Sequence, residues 1–427
     1  MRPKIVNILT HGPSYHYYQE KYEMQAYWDL PDGSWLGTDG EEFPDLLGKE
    51  IVDITDEFEY EVWQPDYRAD KMYSAELKNN LVHRLFPALD LSKMVGLKRT
   101  HYMYSFEMER YLHELTQNRK VILNLNGGFT PANNRIIRGF KELPIVQTFR
   151  GIIYLPNTRI FKLRKNLLAS LSYIQDHFKL KELIKHIDYV TYMNEVNLDK
   201  LEEIYDGPKD KLTSGVQFDF WHKLDRISCR KQKNLPLDKF IIFSSSRLIP
   251  LKQVDKLINI LNDLDQKHDF LLIISGSGQS EYEKYLKQKA EKLIKKDKIR
   301  FVGYLFDQEL REYYSASDLF INTSMSEGGP VSSMKAFATE IPVMSTDVGN
   351  TAEIMQKYRA GIVVPKYDYG AWKKELEQIL NGKKVNLLDR SIALEHFEWK
   401  NIARNFIEVY KKAYEISNSN QLVVSQP

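Results

Sequence analysis

The run Ser326-Glu327-Gly328-Gly329-Pro330-Val331-Ser332-Ser333 sets a carboxylate, a Gly-Gly-Pro turn and two hydroxyls ahead of an apolar stretch, Val331 to Thr339, that reads as a helix. A helix N-terminus presents unpaired N–H groups and positive potential to an anion. With a carboxylate beside it, such a loop suits a ligand that carries both hydroxyls and phosphate. Two cations five residues apart, Arg247 and Lys252, follow another apolar run and precede a second helical pattern. A guanidinium can hold two phosphate oxygens at once and an ammonium acts as a point charge, so the pair suits a diphosphate. Gly276-Ser277-Gly278 and Val302-Gly303-Tyr304 also end apolar runs. The first has Glu281 where a dinucleotide-binding fingerprint needs its third glycine. Taken singly, each of these features also fits an ordinary turn or helix entry.

These residues need a scaffold that brings them together. Apolar runs at Lys239–Ser246, Phe270–Ser275, Lys298–Val302, Asp318–Asn322 and Ile341–Ser345 alternate with helical patterns. One helix carries Val254, Leu257, Ile258, Ile260, Leu261 and Leu264 on one face. Short apolar strands alternating with helices predict a parallel, doubly wound sheet. Ligands of such sheets bind beyond the carboxyl ends of the strands, where all the residues named above fall. The N-terminal half repeats the rhythm, with strands expected at Lys4–Leu9, Phe58–Trp63, Lys120–Leu125, Leu143–Phe149, Tyr189–Met193 and Lys211–Val216. The fold class expected is α/β, with two Rossmann-like domains.

At 427 residues the chain exceeds one ordinary core. The expected division is residues 1–222, a polar, basic hinge at 223–238, residues 239–394, and a C-terminal helix and tail at 395–427. The composition, 43% hydrophobic and 28% charged with a net charge of +2, is globular and gives no sign of a nucleic-acid binder. Cys229 is the single cysteine, so no internal disulfide forms and a reducing, cytoplasmic setting is expected. No run reaches the roughly 20 apolar residues of a spanning helix. No His/Asp/Glu grouping has metal-ligand spacing. Residues 159–185 carry a net charge of +5 with apolar residues interleaved. That pattern fits peripheral contact with an anionic membrane face, and equally a helix with one solvated side.

As an ordered set, the motifs resemble the nucleotide-sugar domain of GT-B glycosyltransferases, specifically the large retaining family 4 (glycosyl transferases group 1). The resemblance runs through Arg247 and Lys252, Gly276 and Gly278, Phe301-Val302-Gly303, Ala316-Ser317-Asp318 to Ser324, Glu327-Gly328-Gly329-Pro330, Ile341-Pro342-Val343, Asp347-Val348-Gly349-Asn350 and Glu353-Ile354. It covers about residues 239–365, and Phe397-Glu398-Trp399 resembles the start of the family's closing helix. The resemblance implies a UDP-sugar or GDP-sugar donor, no metal cofactor, and a glycan or lipid-linked glycan acceptor. It also implies two domains facing a cleft, with the last helix crossing back to the first domain. By the same resemblance, Arg247 and Lys252 would hold the diphosphate and Glu327 the sugar hydroxyls. Backbone around Gly328, Gly329, Val331 and Ser332 would meet sugar and phosphate, and Gly303 would line the base.

Three positions depart from the family pattern. Lys335 stands where a second carboxylate usually holds ribose hydroxyls, and an ammonium cannot accept from them. Arg150, in Thr148-Phe149-Arg150-Gly151, stands in a histidine's place, as does Asn126 in Leu125-Asn126-Gly127-Gly128. Arg150 stays protonated, so it could steady departing phosphate charge but not act as a base. His11 and Gly12 end the first strand on the acceptor or phosphate side. The function expected is transfer of a hexose with retention of configuration. The departures keep open a non-catalytic GT-B-like subunit that binds a partner transferase or a glycan, and more remotely a sugar phosphorylase.

Overall fold

The computed structural model describes residues 2–9, 28–29, 35–36, 43–67, 69–90, 103–151, 153, 180–196, 198–278 and 280–424. The chain forms two compact units, one of Met1–Thr213 with Trp399–Pro427, the other of Ser214–Glu398.

The first unit is built on an eight-stranded sheet of β1 (Lys4–Ile8), β2 (Glu59–Asp66), β3 (Tyr73–Lys78), β4 (Leu81–Pro87), β5 (Val121–Asn126), β6 (Ile145–Phe149), β7 (Tyr189–Tyr192) and β8 (Lys209–Lys211). Their spatial order is β8-β7-β6-β5-β1-β2-β4-β3. All pairings are parallel except β3 with β4, an antiparallel hairpin at the edge. Asn80 makes its turn, with φ +67°. The sequence pattern passes over this hairpin because β3 alternates half-buried and exposed residues and carries little apolar signal. The strand expected at Lys211–Val216 is instead the short β8. Val216 pairs only as an isolated bridge with Glu398, in the second unit.

Two helices of this unit are fixed by their ends. Ser105 caps Phe106–Asn118 through Met108 N–H, and Thr130 caps Pro131–Gly139 through Asn133 N–H with proline in the first turn. The C-terminal helix Trp399–Val424 lays Trp399, Ile402, Phe406 and Tyr410 into one core with Phe43, Leu47 and Ile51 of the helix Phe43–Ile54. Phe43 meets Trp399 and Phe406 edge-on, at 5.3 and 5.8 Å between ring centres.

The second unit carries β9 (Phe240–Ser245), β10 (Phe270–Ser275), β11 (Ile299–Gly303), β12 (Leu319–Asn322), β13 (Val343–Thr346) and β14 (Ile362–Val364). All are parallel, in the order β11-β10-β9-β12-β13-β14. The expected doubly wound sheet is therefore present, with β14 added. The middle strands are buried on both faces, which is why they read as unbroken apolar runs. The helix Val254–Leu264 buries all six residues of its apolar face.

The segment 223–238, expected as a hinge, is built into this unit. Asp225 caps the helix Arg226–Gln232, and Arg230, 2% exposed, donates to the carbonyls of Ala316, Leu237 and Lys239 and to the Asp318 carboxylate. Its polar composition is that of an anchored cation rather than of a loose joint. The chain leaves the unit after Glu398, so the helix Arg390–Phe397 ends within it.

Candidate functional site

In the second sheet the chain runs outward from β9 to β10 and β11, then returns to β12 on the other side of β9. The loops after β9 and β12 flank this reversal, the place where ligands of open sheets of this type bind. Lys252 arrives on the first loop and Glu327 on the second, and the two form an ion pair with side chains 12% and 15% exposed. Ser324 Oγ donates to the same Glu327 oxygen at 2.6 Å. The loops are also tied through their backbones. Met325 N–H donates to Leu251 C=O at 2.9 Å, Thr323 Oγ to Lys252 C=O at 2.7 Å, and Thr346 Oγ to Ser324 C=O at 2.5 Å. Arg247 lies exposed on the same loop as Lys252.

Behind Glu327 the chain passes through Gly328-Gly329-Pro330 into the helix Val331–Ala338, which has no side-chain cap at its N-terminus. The first N–H groups of an α-helix have no intrahelical acceptor, and such an end can receive an anion. Gly349 backs the loop with φ +69°. A Cβ there would stand 3.0 Å from Gly328 C=O and from Pro330 Cδ. Asn350 N–H donates to Gly328 C=O at 3.2 Å. Tyr314 OH donates to Ser332 C=O at 2.7 Å. Burial, with Asp307 nearby, pushes that phenol well above its ordinary pKa, so it remains a donor.

The glycine turns serve close approach. Gly276 has φ +126°, and a Cβ on it would run into Ser246 C=O, while one on Gly278 would strike Leu248 C=O. Gly303 ends β11 at φ +77°, and its carbonyl accepts from Gly276 N–H at 2.7 Å and Ser275 Oγ at 3.2 Å.

The structure thus gathers Lys252, Glu327, Gly328, Gly329, Val331 and Ser332 about one reversal, with Arg247 on the adjoining loop. Lys335 has a different setting. Its ammonium pairs with Asp307 at 2.8 Å and lies 4.1 Å from the centre of the Trp221 ring. Asp307 and Trp221 are not among the sequence-derived site candidates, and Ser324 enters there only as the end of a family motif, with no role at the site. Its contact with Glu327 is suggested by its place as a hydroxyl three residues before the carboxylate. The other two meet Lys335 only through tertiary packing.

Asn126 and Arg150 belong to the first unit. Asn126 ends β5 buried, donating its amide to Asn7 Oδ1. Arg150 follows β6 with its guanidinium 4.7 Å from the Phe43 ring centre. His11 and Gly12 lie outside the described residues, as does most of 159–185. Among the described residues no helix is long and apolar enough to cross a membrane.

The chain is 27% identical over 232 residues to an uncharacterized glycosyltransferase of Methanocaldococcus jannaschii, a match covering 50% of this chain and 57% of that protein. The chain therefore spans just over half the length of that relative. Sucrose-phosphate synthase from Thermosynechococcus elongatus shares the fold, with a TM-score of 0.70 at 15% identity over 97% of this chain and all of that one. So does Anabaena HepE, solved in complex with UDP, with a TM-score of 0.65 at 12% identity over 96% of this chain and all of that one. The α/β fold of two Rossmann-like domains is the one expected. Residues 225–392 match the model described as Glycosyl transferases group 1, and this region of the chain resembles that family.

Proposed function

We propose that the protein transfers a hexosyl group from a nucleotide diphosphate sugar, with UDP or GDP as the leaving nucleotide, to a hydroxyl of a glycan or lipid-linked glycan, with retention of configuration. One observation carries this reading: the Lys252–Glu327–Ser324 constellation stands at the sheet reversal beside an uncapped helix N-terminus. Lys252 and Arg247 would take the diphosphate. The N–H groups from Gly329 to Ser332 would face phosphate and sugar, and Glu327 would accept from sugar hydroxyls.

The bond from the anomeric carbon to the phosphate oxygen breaks, and the bond to the acceptor oxygen forms on the same face. The departing nucleotide takes the electron pair, and its own phosphate oxygen takes the acceptor's proton. The protein supplies fixed positive charge where negative charge develops, and that part of the barrier is sensitive to single donors. Arg150, Asn126, His11 and Gly12 are proposed for the acceptor or phosphate side, and no metal is assigned a role. Contact of 159–185 with an anionic membrane surface is a further proposal carried by its charge alone, and co-sedimentation with anionic vesicles checks it.

A thermal-shift panel of UDP, GDP and their sugars tests the donor assignment. Stabilisation by one nucleotide, and its release from the matching sugar nucleotide, is the expected outcome. No response to any of them would favour the non-catalytic subunit.

A further inference from the structure

Where the chain enters the second unit, three aromatic residues each lie against a cation. Arg390 is 5.1 Å from the Phe218 ring centre, Arg311 is 4.4 Å from Phe220, and Lys335 is 4.1 Å from Trp221. The two arginines also hold the backbone, Arg390 donating to Phe218 C=O at 3.0 Å and Arg311 to Phe220 C=O at 2.6 Å. This stretch lies beside the point where the chain leaves the unit. Val216 N–H donates to Phe397 C=O at 2.8 Å, and Phe218 N–H to the Glu398 carboxylate at 3.0 Å.

Of the three cations, Lys335 alone stands on the helix Val331–Ala338, whose N-terminus follows Glu327. A closed ring of contacts runs through it. Lys335 pairs with Asp307 and covers Trp221, Trp221 meets Tyr314 edge-on at 6.0 Å, and Tyr314 OH holds Ser332 C=O in the first turn of the Lys335 helix. Asp307 and Tyr314 share the helix Asp307–Ala316, so the ring bolts one helix to the other with Trp221 between them. The Lys335 side chain is 17% exposed, and a cation held this close to an indole in a largely desolvated place is among the stronger pairs of its kind.

We propose that Lys335 is a positioning residue for the donor, acting through Trp221 and Asp307 rather than by touching phosphate. It fixes the axis of Val331–Ala338, and so the aim of the N–H groups from Gly329 to Ser332. This rests on the donor-binding reading above. A helix end misdirected by about an ångström loses much of what a fixed cradle offers an anion.

The test is calorimetric binding of UDP and GDP to the full chain, at two salt concentrations, with Lys335→Met, Lys335→Arg, Trp221→Phe, Trp221→Leu and the double variant Lys335→Met/Trp221→Leu. Lys335→Met is expected to weaken binding about tenfold, the size of one well-packed cation–aromatic contact. Trp221→Leu is expected to match it, and the double variant to be no weaker than the weaker single. Lys335→Arg should stay within about threefold, because a guanidinium can both stack and pair. Trp221→Phe, which keeps the ring with a weaker face, should fall between, and it stands in should Trp221→Leu fail to fold. The salt dependence should be unchanged in Lys335→Met.

A direct ammonium–phosphate contact predicts otherwise: Lys335→Met loses affinity and salt dependence together while both Trp221 variants bind like wild type. That result overturns the proposal. So does a lowered melting temperature with unchanged affinity, which would make Lys335 purely structural. Failure of the wild type to bind either nucleotide overturns the donor-binding reading itself.

Discussion

The two sheets share a reversal of strand order and spend their polar residues differently. In the first unit, a network of neutral polar side chains lies inside the sheet, separate from the buried charges of Lys4, Glu61 and Arg84. Asn7 amide donates to Tyr60 OH at 2.6 Å, Asn124 amide to Tyr410 OH at 2.7 Å, Thr148 Oγ to Asn124 Oδ1 at 2.7 Å and Thr191 Oγ to Thr148 Oγ at 2.9 Å. In the second unit, β9 and β12 are mainly apolar, and the charged pair Lys252–Glu327 sits in the loops that follow them. Neutral hydrogen bonds inside a core specify packing, and each lost partner costs stability. A charged pair at a strand end has weaker claims on stability and stronger ones on a ligand. The first unit's neutral network thus seats its last helix, while the second unit carries a charged pair at its strand reversal.

Substitutions can break that division. Glu327→Ala, in the second unit, removes the proposed acceptor for the sugar hydroxyls and the partner that orients Lys252, and should lower turnover on the matching sugar nucleotide by about a hundredfold, the scale of a misplaced donor. Nucleotide release under saturating donor measures it, and the melting temperature should move little. Asn124→Leu, in the first unit, should do the reverse. It strips partners from Tyr410 and Thr148 and should cost about 2–3 kcal/mol. Denaturant unfolding checks this, with nucleotide affinity unchanged.

A pH series sharpens the same contrast. Burial raises the Asp188 carboxyl to about 6, although it accepts from the Ile145 N–H at 2.8 Å. Its folded value lies above the unfolded one, so its favourable contribution is complete below about pH 4 and is lost as the pH rises through about 6. Asp188→Asn, which resembles the protonated form, should stabilise the first unit by about 1–2 kcal/mol at pH 8 and leave it unchanged at pH 4. Unfolding at the two pH values decides it. The smallest expected effect is that of Gly349→Ala, about 1 kcal/mol, from a left-handed φ and a Cβ pressed on Gly328 and Pro330. Any loss of nucleotide affinity in Gly349→Ala beyond its loss of stability would show that the loop's shape matters to the ligand.

What was legible in the sequence follows from the range of the forces involved. The apolar runs of β9, β10 and β12 and the helical spacing from Val254 to Leu264 are local signals, and each became the element it implied. Glu327 and Lys252 are 75 residues apart, yet each ends an apolar run of one sheet, and topology alone brings such ends together. The hairpin of β3 and β4 escaped because its outer strand is half polar. The anchoring of 223–238 escaped because Arg230 binds carbonyls scattered from Leu237 to Ala316, which no spacing encodes. The same holds for Lys335, whose partners Asp307 and Trp221 come from two other segments.

The Asn124–Tyr410 hydrogen bond has a consequence for the order of synthesis. The second unit is one continuous stretch, Ser214–Glu398, and all of it is translated before the helix Trp399–Val424. The first unit's sheet is translated earliest but waits for Tyr410 to complete its interior. At ribosomal rates of roughly 5–20 residues per second, that wait lasts on the order of ten seconds or more. During it, the face that will receive Trp399, Phe406 and Tyr410 has no cover from its own chain. The half of the molecule that begins first thus finishes last, because its sheet is made before, and its last helix after, the whole of the second unit.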